Sequence, residues 1–236
     1  IIAARALNSH KRVIYTTPTA DQLQVVWRAM KRYFREPIEY GYLRKNEQTH
    51  IIEVPGTEIL FQGKTAWNAD SMRGLYGDVV ILDEYQLMAE NVWDEVVAPM
   101  MLDTDGDAVF TFTPPSLRMR TMSRAKDKQH AMKMYRERSK DETGRWKCYH
   151  FTSMDNPHLS AAALDEIVLD MSNMAYRIEI KAEDIEEAPG AIFKRNTIAK
   201  FRTEKLPDRL ERIVVGVDPE AVKTGSGMTG IVVAAL

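Results

Sequence analysis

The sequence has 236 residues, of which 44% are hydrophobic and 28% are charged, and its formal net charge is −2 at pH 7. This composition excludes a fibrous or disordered chain and predicts one large globular domain, or one domain and part of a second. The nearly balanced charge gives no overall sign of a nucleic-acid binder, so any such surface must be local. The single cysteine excludes an internal disulfide, and no apolar run reaches the roughly 18 residues that a membrane-spanning helix needs.

The amino-terminal part of the sequence alternates between helix and strand patterns. Residues 1–7 are apolar and alanine-rich, which favours a helix. Because this pattern is already under way at Ile1, we expect the chain to begin partway through a longer protein. Residues 13–17 predict a short buried strand, and Thr19 is suited to cap a helix over 20–34.

A hairpin is predicted for residues 51–54 and 58–61, and a glycine–lysine–threonine run at 63–65 follows it. The run resembles the end of a phosphate-binding loop, G-x-x-x-x-G-K-[ST]. That pattern requires its first glycine at position 58, which is Glu58. We therefore predict a turn at 63–65 and no phosphate site there.

Four consecutive apolar residues at 79–82 predict a buried strand in a sheet that is covered on both faces. Asp83 and Glu84 follow directly. Carboxylates without partners are unstable in a core, so we expect both at the carboxyl end of the strand, where α/β sheets bind ligands. This is the form of a Walker B element, in which the first acid holds the Mg²⁺ of a nucleotide and the second polarises the attacking water. A buried strand that ends in an acidic turn is the alternative, and these six residues alone leave both open.

Arg73 lies ten residues before Asp83 and is followed by Gly74. This spacing would let its guanidinium reach the γ-phosphate of a nucleotide, where bidentate contact is favourable. An ordinary surface arginine is the alternative. After the two acids, residues 85–101 predict an amphipathic helix.

Residues 108–113 predict a second buried strand, which ends in Thr111 and Thr113 before two prolines. A threonine at the carboxyl end of a strand beside the Walker B strand can hydrogen-bond a phosphate or the attacking water. We therefore predict that these hydroxyls act as sensors.

Residues 116–140 contain nine Lys and Arg against two acids and form the only strongly basic stretch of the sequence. Such a surface could attract a phosphate backbone. A solvated helix face is the competing interpretation, and the sequence leaves both open. The candidate DNA-binding residues are Arg118, Arg120, Arg124, Lys126 and Lys128.

Two further elements are predicted before the last segment of the chain. Residues 146–152 alternate sufficiently to predict a strand. Ser160 is suited to cap a helix that runs to about residue 187.

The last segment predicts a hairpin with an acid at its first strand end. Residues 213–218 predict a buried strand that ends in Asp218, and a loop with three glycines leads to a return strand at 231–236. A strand, an acid, a glycine-rich turn and an antiparallel return strand are how an RNase H-like fold begins. In that fold Asp218 would be the first ligand of a two-metal nuclease site.

The order of these motifs resembles the large terminase subunit of tailed bacteriophages, the motor that packages DNA into procapsids. Each motif is only moderately specific, but the five in one order are strongly specific. They resemble the strand and turn after the family's first helix, its arginine segment joined to Walker B, its coupling motif, its linker region and the opening of its nuclease domain. The segments are Tyr15-Thr16-Thr17-Pro18-Thr19 with Gln22, residues 68–85 (NADSMRGLYGDVVILDEY), Thr111-Phe112-Thr113, Asp155-Asn156-Pro157-His158-Leu159 with residues 187–193, and Val217-Asp218-Pro219 through Gly230-Ile231.

The resemblance implies an α/β fold, a P-loop NTPase of the ASCE type with a mostly parallel sheet and flanking helices, followed by the start of an RNase H-like nuclease domain. It implies an ATPase core at 1–153, a linker or lid subdomain at 154–211, and the first hairpin of the nuclease domain at 212–236. The family's phosphate-binding loop would end just before the helix at Ile1. We therefore expect that loop upstream and expect the 236-residue chain alone to be inactive.

The resemblance also implies roles for individual residues. Asp83 would hold the Mg²⁺ of ATP, and Glu84 would be the catalytic carboxylate. Arg73 would be an arginine finger that acts within the subunit or on a neighbour's ATP. Thr113, with Thr111, would couple hydrolysis to movement of the DNA. The nuclease would use a divalent metal, Mg²⁺ or Mn²⁺.

The partners implied by the resemblance are double-stranded DNA, the portal protein, the small terminase subunit and further copies of the chain in a ring, a pentamer when active. No membrane is implied, and the expected location is the host cytoplasm, at the procapsid portal. A helicase-type or translocase-type P-loop ATPase is one alternative, which would explain residues 79–113 but not the hairpin with Asp218. A nucleotide-insensitive DNA-binding or scaffold module that uses the basic stretch is the other.

Overall fold

The computed structural model describes residues 1–66, 69–115, 125–185, 200, 211–218 and 230–235. The chain divides into two compact units, Ile1–Glu186 and Glu187–Leu236. Within the described ranges, every helix is too short or too polar to cross a membrane.

A six-stranded sheet forms the centre of the first unit. Its spatial order is β2-β3-β4-β1-β5-β6, in which β4, β1, β5 and β6 run parallel and β2, β3 and β4 pair antiparallel. The predicted α/β fold with a mostly parallel sheet is therefore confirmed. The strands are β1 (Val13–Thr17), β2 (Arg44–Asn46), β3 (Ile51–Glu53), β4 (Leu60–Thr65), β5 (Val79–Asp83) and β6 (Asp107–Thr111).

Helices flank this sheet, and the start of the second one is as predicted. The Thr19 side chain accepts a hydrogen bond from the Gln22 backbone N–H, and the Gln22 side chain accepts one from the Thr19 backbone, so the two form a capping box. The helices are α1 (Ile2–Asn8), α2 (Ala20–Tyr33), α3 (Arg35–Glu39), α4 (Ala98–Leu102), α5 (His130–Arg138), α6 (Ala161–Leu169) and α7 (Asn173–Ala175).

The apolar run of β5 is buried on both faces of the sheet, as predicted. Val79 and Ile81 belong to one hydrophobic cluster, which includes side chains of α1 and α2. Val80 and Leu82 belong to a second cluster, which includes side chains of the segment after β5. Successive side chains of a strand point to opposite faces, so an unbroken apolar run needs a core on each side.

Arg12 and Asp78 form an ion pair at the amino ends of β1 and β5. The backbone N–H of Arg12 donates to Asp78 Oδ2 at 2.7 Å, Nε donates to Oδ2 at 3.1 Å, and Nη2 donates to Oδ1 at 2.9 Å. The side chains are only 25% and 23% exposed. The hydrogen bond from the Arg12 side chain holds the pKa of Asp78 below its usual range.

Residues 63–65 are part of a strand, so the predicted turn was wrong. They complete β4, where Gly63 pairs with Tyr15 and Thr65 pairs with Thr17. A Cβ atom on Gly63 would lie 2.7 Å from Leu23 Cδ1, so the glycine allows α2 to pack closely against β4. The close packing of α2 against β4 therefore explains the glycine of the run that resembles a phosphate-binding loop.

The helix predicted for 85–101 is interrupted. Pro99, near the start of α4, has no N–H, so the carbonyl of Glu95 lacks the helical donor four residues ahead and accepts from Arg73 Nη1 at 3.3 Å. The segment consists of a 3₁₀ turn (Tyr85–Leu87), a π-helical stretch (Val92–Val97) and α4.

Residues 146–152 do not form the predicted strand. The backbone N–H of Trp146 donates to the Asp141 carboxylate at 2.9 Å, and the Trp146 ring contacts Trp93 and Phe110 edge-on or tilted. Trp146 is therefore held by side-chain contacts, where the sequence predicted pairing with a neighbouring strand.

The helix predicted from Ser160 to about residue 187 begins as expected but ends early. The Ser160 side chain accepts from the backbone N–H of Ala163, and α6 ends at Leu169. Ser172 then caps a new helix by accepting from Ala175 N–H at 3.2 Å. Serine and threonine favour such caps over helix interiors, which explains the break.

The second unit contains a two-stranded antiparallel hairpin, β7 (Ile213–Asp218) and β8 (Gly230–Ala235), with Asp218 opposite Gly230. The predicted strand and return strand are present, but the burial predicted for the first strand was wrong. Its described valine and isoleucine side chains are at least half exposed, including Val214 at 50%, because the sheet that contains it has only two strands. An isolated two-stranded hairpin is at most marginally stable in water. The RNase H-like fold stays a prediction.

Candidate active site

The carboxylate of Asp83 lies between hydroxyl groups from the two neighbouring strands. Asp83 is the last residue of β5, and it pairs with Thr111 of β6. Its Oδ1 accepts a hydrogen bond from Thr111 Oγ1 at 2.6 Å, and its Oδ2 accepts one from the Tyr15 hydroxyl at 2.7 Å. Short hydroxyl–carboxylate bonds of this kind are among the stronger hydrogen bonds in proteins. The sheet therefore fixes the orientation of this carboxylate from both sides.

Glu84 has left-handed backbone angles, φ 56° and ψ 43°, directly after the strand. A residue other than glycine in this region costs of order 1 kcal/mol or more, and such positions cluster at functional sites. Its Oε2 accepts a hydrogen bond from Gln86 Nε2 at 2.7 Å. Gln86 is only 1% exposed, and its Oε1 has no hydrogen-bond partner among the described residues. A buried amide thus holds the second carboxylate.

Burial raises the pKa of Tyr15, and the hydrogen bond to Asp83 and the charges of Asp83 and Glu84 raise it further. The phenol therefore keeps its proton near neutral pH. It acts as a hydrogen-bond donor to Asp83.

The Asp83 carboxylate suits a magnesium ion that also binds phosphate oxygens. Each carboxylate oxygen has about two lone-pair sites, and the hydroxyls of Tyr15 and Thr111 occupy one on each. Mg²⁺ prefers oxygen ligands and is usually bound through one or two carboxylates plus substrate phosphates. In the described part of the chain, no three His, Cys, Asp or Glu residues are grouped so as to hold a metal by themselves. This donor set fits Mg²⁺ delivered with a nucleotide.

The two predicted threonines are placed differently. Thr111 ends β6 and contacts Asp83 directly. Thr113 follows the strand by two residues, and none of the described contacts joins it to Asp83 or Glu84. The strand ends earlier than the sequence predicted, with Thr111 as its last paired residue. The predicted burial was also wrong, because β6 is an edge strand whose residues are only partly buried or exposed.

Arg73 lies on the surface and is held by two acids. Its side chain is 53% exposed, and its Nε donates to Asp70 Oδ1 at 2.6 Å. Its Nη1 donates to the Glu95 carbonyl, and its Nη2 lies 3.7 Å from the Glu95 carboxylate. The adjoining pocket, of about 260 Å³, has Arg73, Glu95 and Tyr76 in its wall but neither Asp83 nor Glu84. The described contacts of Arg73 are therefore with Asp70 and Glu95, and not with Asp83 or Glu84.

The basic stretch is only partly within the described residues. Arg118, Arg120 and Arg124 lie outside them, and Lys126 is exposed and Lys128 half-buried. Among the later cations, Lys133 pairs with Asp127, Arg136 pairs with Asp184, and the Arg138 guanidinium lies 5.0 Å from the Trp146 ring centre. These internal pairs favour an intramolecular role for residues 133–138, and DNA binding by the stretch stays a prediction.

Asp218 ends β7, as predicted, but its side chain lies outside what the structure describes. Its assignment as a nuclease metal ligand therefore stays a prediction.

Sequence reasoning missed Tyr15 and Gln86. The sequence predicted only that Tyr15 lies in a buried strand. Its hydroxyl, on a strand next to the one that ends in Asp83 and Glu84, was the signal that could have identified it. Gln86 had no such signal, because its interior position depends on the turn after Glu84.

Comparison with known proteins gives one matching family. The model of the N-terminal part of the large terminase subunit, T4-like-virus type, matches residues 1–200. The large terminase subunits of Thermus phage G20c and Thermus virus P23-45 are each 40% identical to this chain over 57 residues. Each match covers 24% of this chain and 12% of the relative.

Solved structures with a similar fold are also large terminases. The ATPase domain of the Thermus phage P74-26 large terminase has a TM-score of 0.58 at 19% identity, over 78% of this chain and 82% of that chain. The HK97 bacteriophage large terminase has a TM-score of 0.63 at 12% identity, over 98% of this chain and 55% of that chain. The large terminase of another thermophilic bacteriophage, in complex with ADP, has a TM-score of 0.53 at 14% identity, over 96% and 52%. The chain thus spans about half the length of these last two proteins.

Proposed function

The chain belongs to the family of large terminase subunits, and we propose that its residues 1–153 form the core of the ATPase that drives DNA packaging. Asp83 and Glu84 carry this proposal: adjacent carboxylates at the carboxyl end of a central parallel strand, each held by a neutral donor. One of the similar thermophilic-bacteriophage terminases forms complexes with ADP and with ATP-γ-S, which supports a nucleotide as the ligand.

Asp83 would hold Mg²⁺, and Glu84 would polarise the water that attacks the γ-phosphate. When bound, Mg²⁺ neutralises charge on the phosphate oxygens. Tyr15 and Thr111 orient the first carboxylate, and Gln86 orients the second by donating to Glu84 Oε2. A carboxylate that accepts from a neutral amide keeps its own charge and can accept a proton from water.

Arg73 would be the arginine finger of the reaction. A guanidinium suits the charge that develops on the γ-phosphate. Its exposure and its contacts with Asp70 and Glu95 favour action on the ATP of a neighbouring subunit.

Thr111 and Thr113 would couple hydrolysis to DNA movement. Thr111 touches Asp83, so a change at the metal-binding carboxylate would reach β6 directly. Thr113, two residues further, would carry that change into the following segment.

The remaining assignments follow from the family. We propose an ATPase core at 1–153 with its phosphate-binding loop upstream, a linker or lid at 154–211, and the first hairpin of an RNase H-like nuclease at 212–236, with Asp218 as a Mg²⁺ or Mn²⁺ ligand. The proposed partners are double-stranded DNA, the portal protein, the small terminase subunit and further copies in a ring, in the host cytoplasm. Residues 118–128 are proposed to contact DNA.

ATP hydrolysis by the full-length protein and by the 236-residue chain, each with and without DNA, tests this function. We expect hydrolysis only in the longer protein, and its loss in the full-length Glu84→Ala variant with nucleotide binding retained. Glu58→Gln, which alters an exposed carboxylate remote from the site, is the matched control and should hydrolyse ATP normally. Turnover near wild type in Glu84→Ala would refute the assignment.

Salt-dependent DNA binding without any ATP hydrolysis would favour a scaffold module.

A further inference from the structure

The two hydroxyls that hold Asp83 reach it by different routes, and the sheet register explains both. Thr111 is directly opposite Asp83, so a short side chain is sufficient. Tyr15 is opposite Ile81, two residues before Asp83 on the neighbouring parallel strand. Two residues of strand span about 6.6 Å. A serine or threonine at position 15 could not cross that distance, whereas a tyrosine hydroxyl does so at 2.7 Å.

The Tyr15 ring is anchored independently of its hydroxyl. It packs against the hydrophobic cluster on the α1 and α2 side of the sheet, with its centre 6.3 Å from that of Phe61 at an interplanar angle of 43°. A ring fixed in this way places the hydroxyl at the carboxylate before any ligand binds. The ring and the hydroxyl are therefore separable: the ring supports the core, and the hydroxyl contacts only Asp83 among its described hydrogen-bond partners.

We propose that Tyr15 is a positioning residue, which holds the Asp83 carboxylate in the orientation that receives the divalent cation of the bound nucleotide. The proposal rests on the proposed function of Asp83. The donor is neutral, so it restricts rotation of the carboxylate without supplying a positive charge that would compete with the cation. Groups that orient a metal ligand in this way typically contribute 10- to 100-fold to metal affinity.

The test compares Tyr15→Phe with Thr16→Val in the full-length protein. Tyr15→Phe removes the hydroxyl and keeps the ring. Thr16→Val also removes a buried hydroxyl from the same strand, but that hydroxyl donates to the Ile81 backbone carbonyl at 2.9 Å. Loss of stability alone would affect both variants, whereas loss of positioning would affect only the first.

Mn²⁺ binding in the presence of ATP-γ-S is measured by the paramagnetic resonance signal of free Mn²⁺, which needs no turnover. We expect Tyr15→Phe to weaken Mn²⁺ binding about 10-fold. Affinity for ATP-γ-S without metal should stay within about twofold, and Thr16→Val should bind Mn²⁺ like the wild type. Equal Mn²⁺ affinity in Tyr15→Phe and wild type overturns the inference and leaves the proposed function intact. Absence of nucleotide-dependent Mn²⁺ binding in the wild type overturns both.

A second pair of variants decides the question if Tyr15→Phe does not fold. Replacement of Tyr15 by 4-aminophenylalanine keeps a donor at the same position, and replacement by 4-methylphenylalanine keeps the size without a donor. We expect the amino variant to bind Mn²⁺ more tightly than the methyl variant, by about 10-fold. Equal affinities of these two would show that the donor is irrelevant.

Discussion

The two ends of the β1–β5 strand pair each hold an aspartate, and the two aspartates are satisfied in different ways. At the amino end, Asp78 accepts three hydrogen bonds, all from Arg12. At the carboxyl end, Asp83 accepts two, from the hydroxyls of Tyr15 and Thr111. Within the described part of the chain, no lysine or arginine is paired with Asp83.

We propose that this difference separates a structural carboxylate, Asp78, from a functional one, Asp83. The charge of Asp78 is neutralised inside the molecule, so the pair can stabilise the fold but has little attraction left for a cation. The described donors to Asp83 are both neutral, so these hydrogen bonds orient the carboxylate without compensating its charge, which is left to attract an incoming ion. The same distinction applies to Glu84, whose side-chain donor is the neutral amide of Gln86.

The largest effect is expected when the charge of the functional aspartate is removed. Asp83→Asn in the full-length protein should lower ATP hydrolysis about 1,000-fold, or roughly 4 kcal/mol of transition-state stabilisation, because it would remove the proposed ligand of Mg²⁺. Asp78→Asn is the matched control and should keep the turnover of its folded molecules within about twofold. Steady-state hydrolysis with both variants at saturating Mg²⁺-ATP measures the difference. Turnover in Asp83→Asn above a tenth of wild type would contradict the distinction.

The next effect concerns two arginines that acids hold in different ways. Arg12 is fixed in the sheet by Asp78, whereas Arg73 is half exposed and contacts two surface acids. Arg73→Ala should lower ATP hydrolysis at least about 100-fold, because it would remove the group that stabilises charge on the γ-phosphate. We expect mixing with Glu84→Ala protein to restore activity, since each variant would supply what the other lacks.

The control for Arg73→Ala is Arg35→Ala, which removes another exposed arginine paired with an acid, Glu39. That variant should hydrolyse ATP like the wild type. If the two variants have the same activity, Arg73 is an ordinary surface residue. If Arg73→Ala is inactive and mixing restores nothing, the arginine acts within its own subunit.

The sequence predicted the position of Asp83 and Glu84 because that position follows from local chemistry. Four apolar residues in a row require a sheet covered on both faces, and adjacent carboxylates cannot remain in its core. The helix start at Thr19 and the strand that ends in Asp218 were predictable for the same reason, since each depends on a few neighbouring residues.

What the sequence could not show depends on contacts between distant segments. The bond from Tyr15 to Asp83 joins residues 68 positions apart and exists only in the observed strand register. The sequence predicted a turn at 63–65, which is in fact part of β4. Gly63 allows Leu23 to pack closely against that strand, and no local pattern reveals such a contact. Similarly, the hydrogen bond from Arg73 to the Glu95 carbonyl joins residues 22 positions apart, and Pro99 leaves that carbonyl without a donor four residues ahead.

The smallest effect is expected on the stability of the fold, when Asp78 at the amino end of the strand pair is changed. Asp78→Asn should lower the free energy of unfolding by about 2–3 kcal/mol near pH 7, because it removes the closer anionic partner of a mostly buried guanidinium and leaves it only the 89% exposed Glu58, at 3.5 Å. Urea denaturation followed by circular dichroism measures this change. Asp83→Asn should change stability less, since one hydroxyl can still donate to the amide oxygen and the other can accept from the amide NH₂.

The pH dependence of this loss identifies its cause. Arg12 lowers the pKa of Asp78 in the folded state, whereas the unfolded chain has an aspartate pKa of about 3.9. The stabilisation is therefore fully present above that unfolded value and is lost as the pH falls towards the lower folded value, because the unfolded state takes up the proton first. The difference in unfolding free energy between wild type and Asp78→Asn should stay constant from pH 7 to about 5 and shrink below about pH 4. A difference that is unchanged down to pH 3 would mean that Asp78 stabilises the strand pair through shape and neutral hydrogen bonding, and the contrast with Asp83 would then not be one of charge.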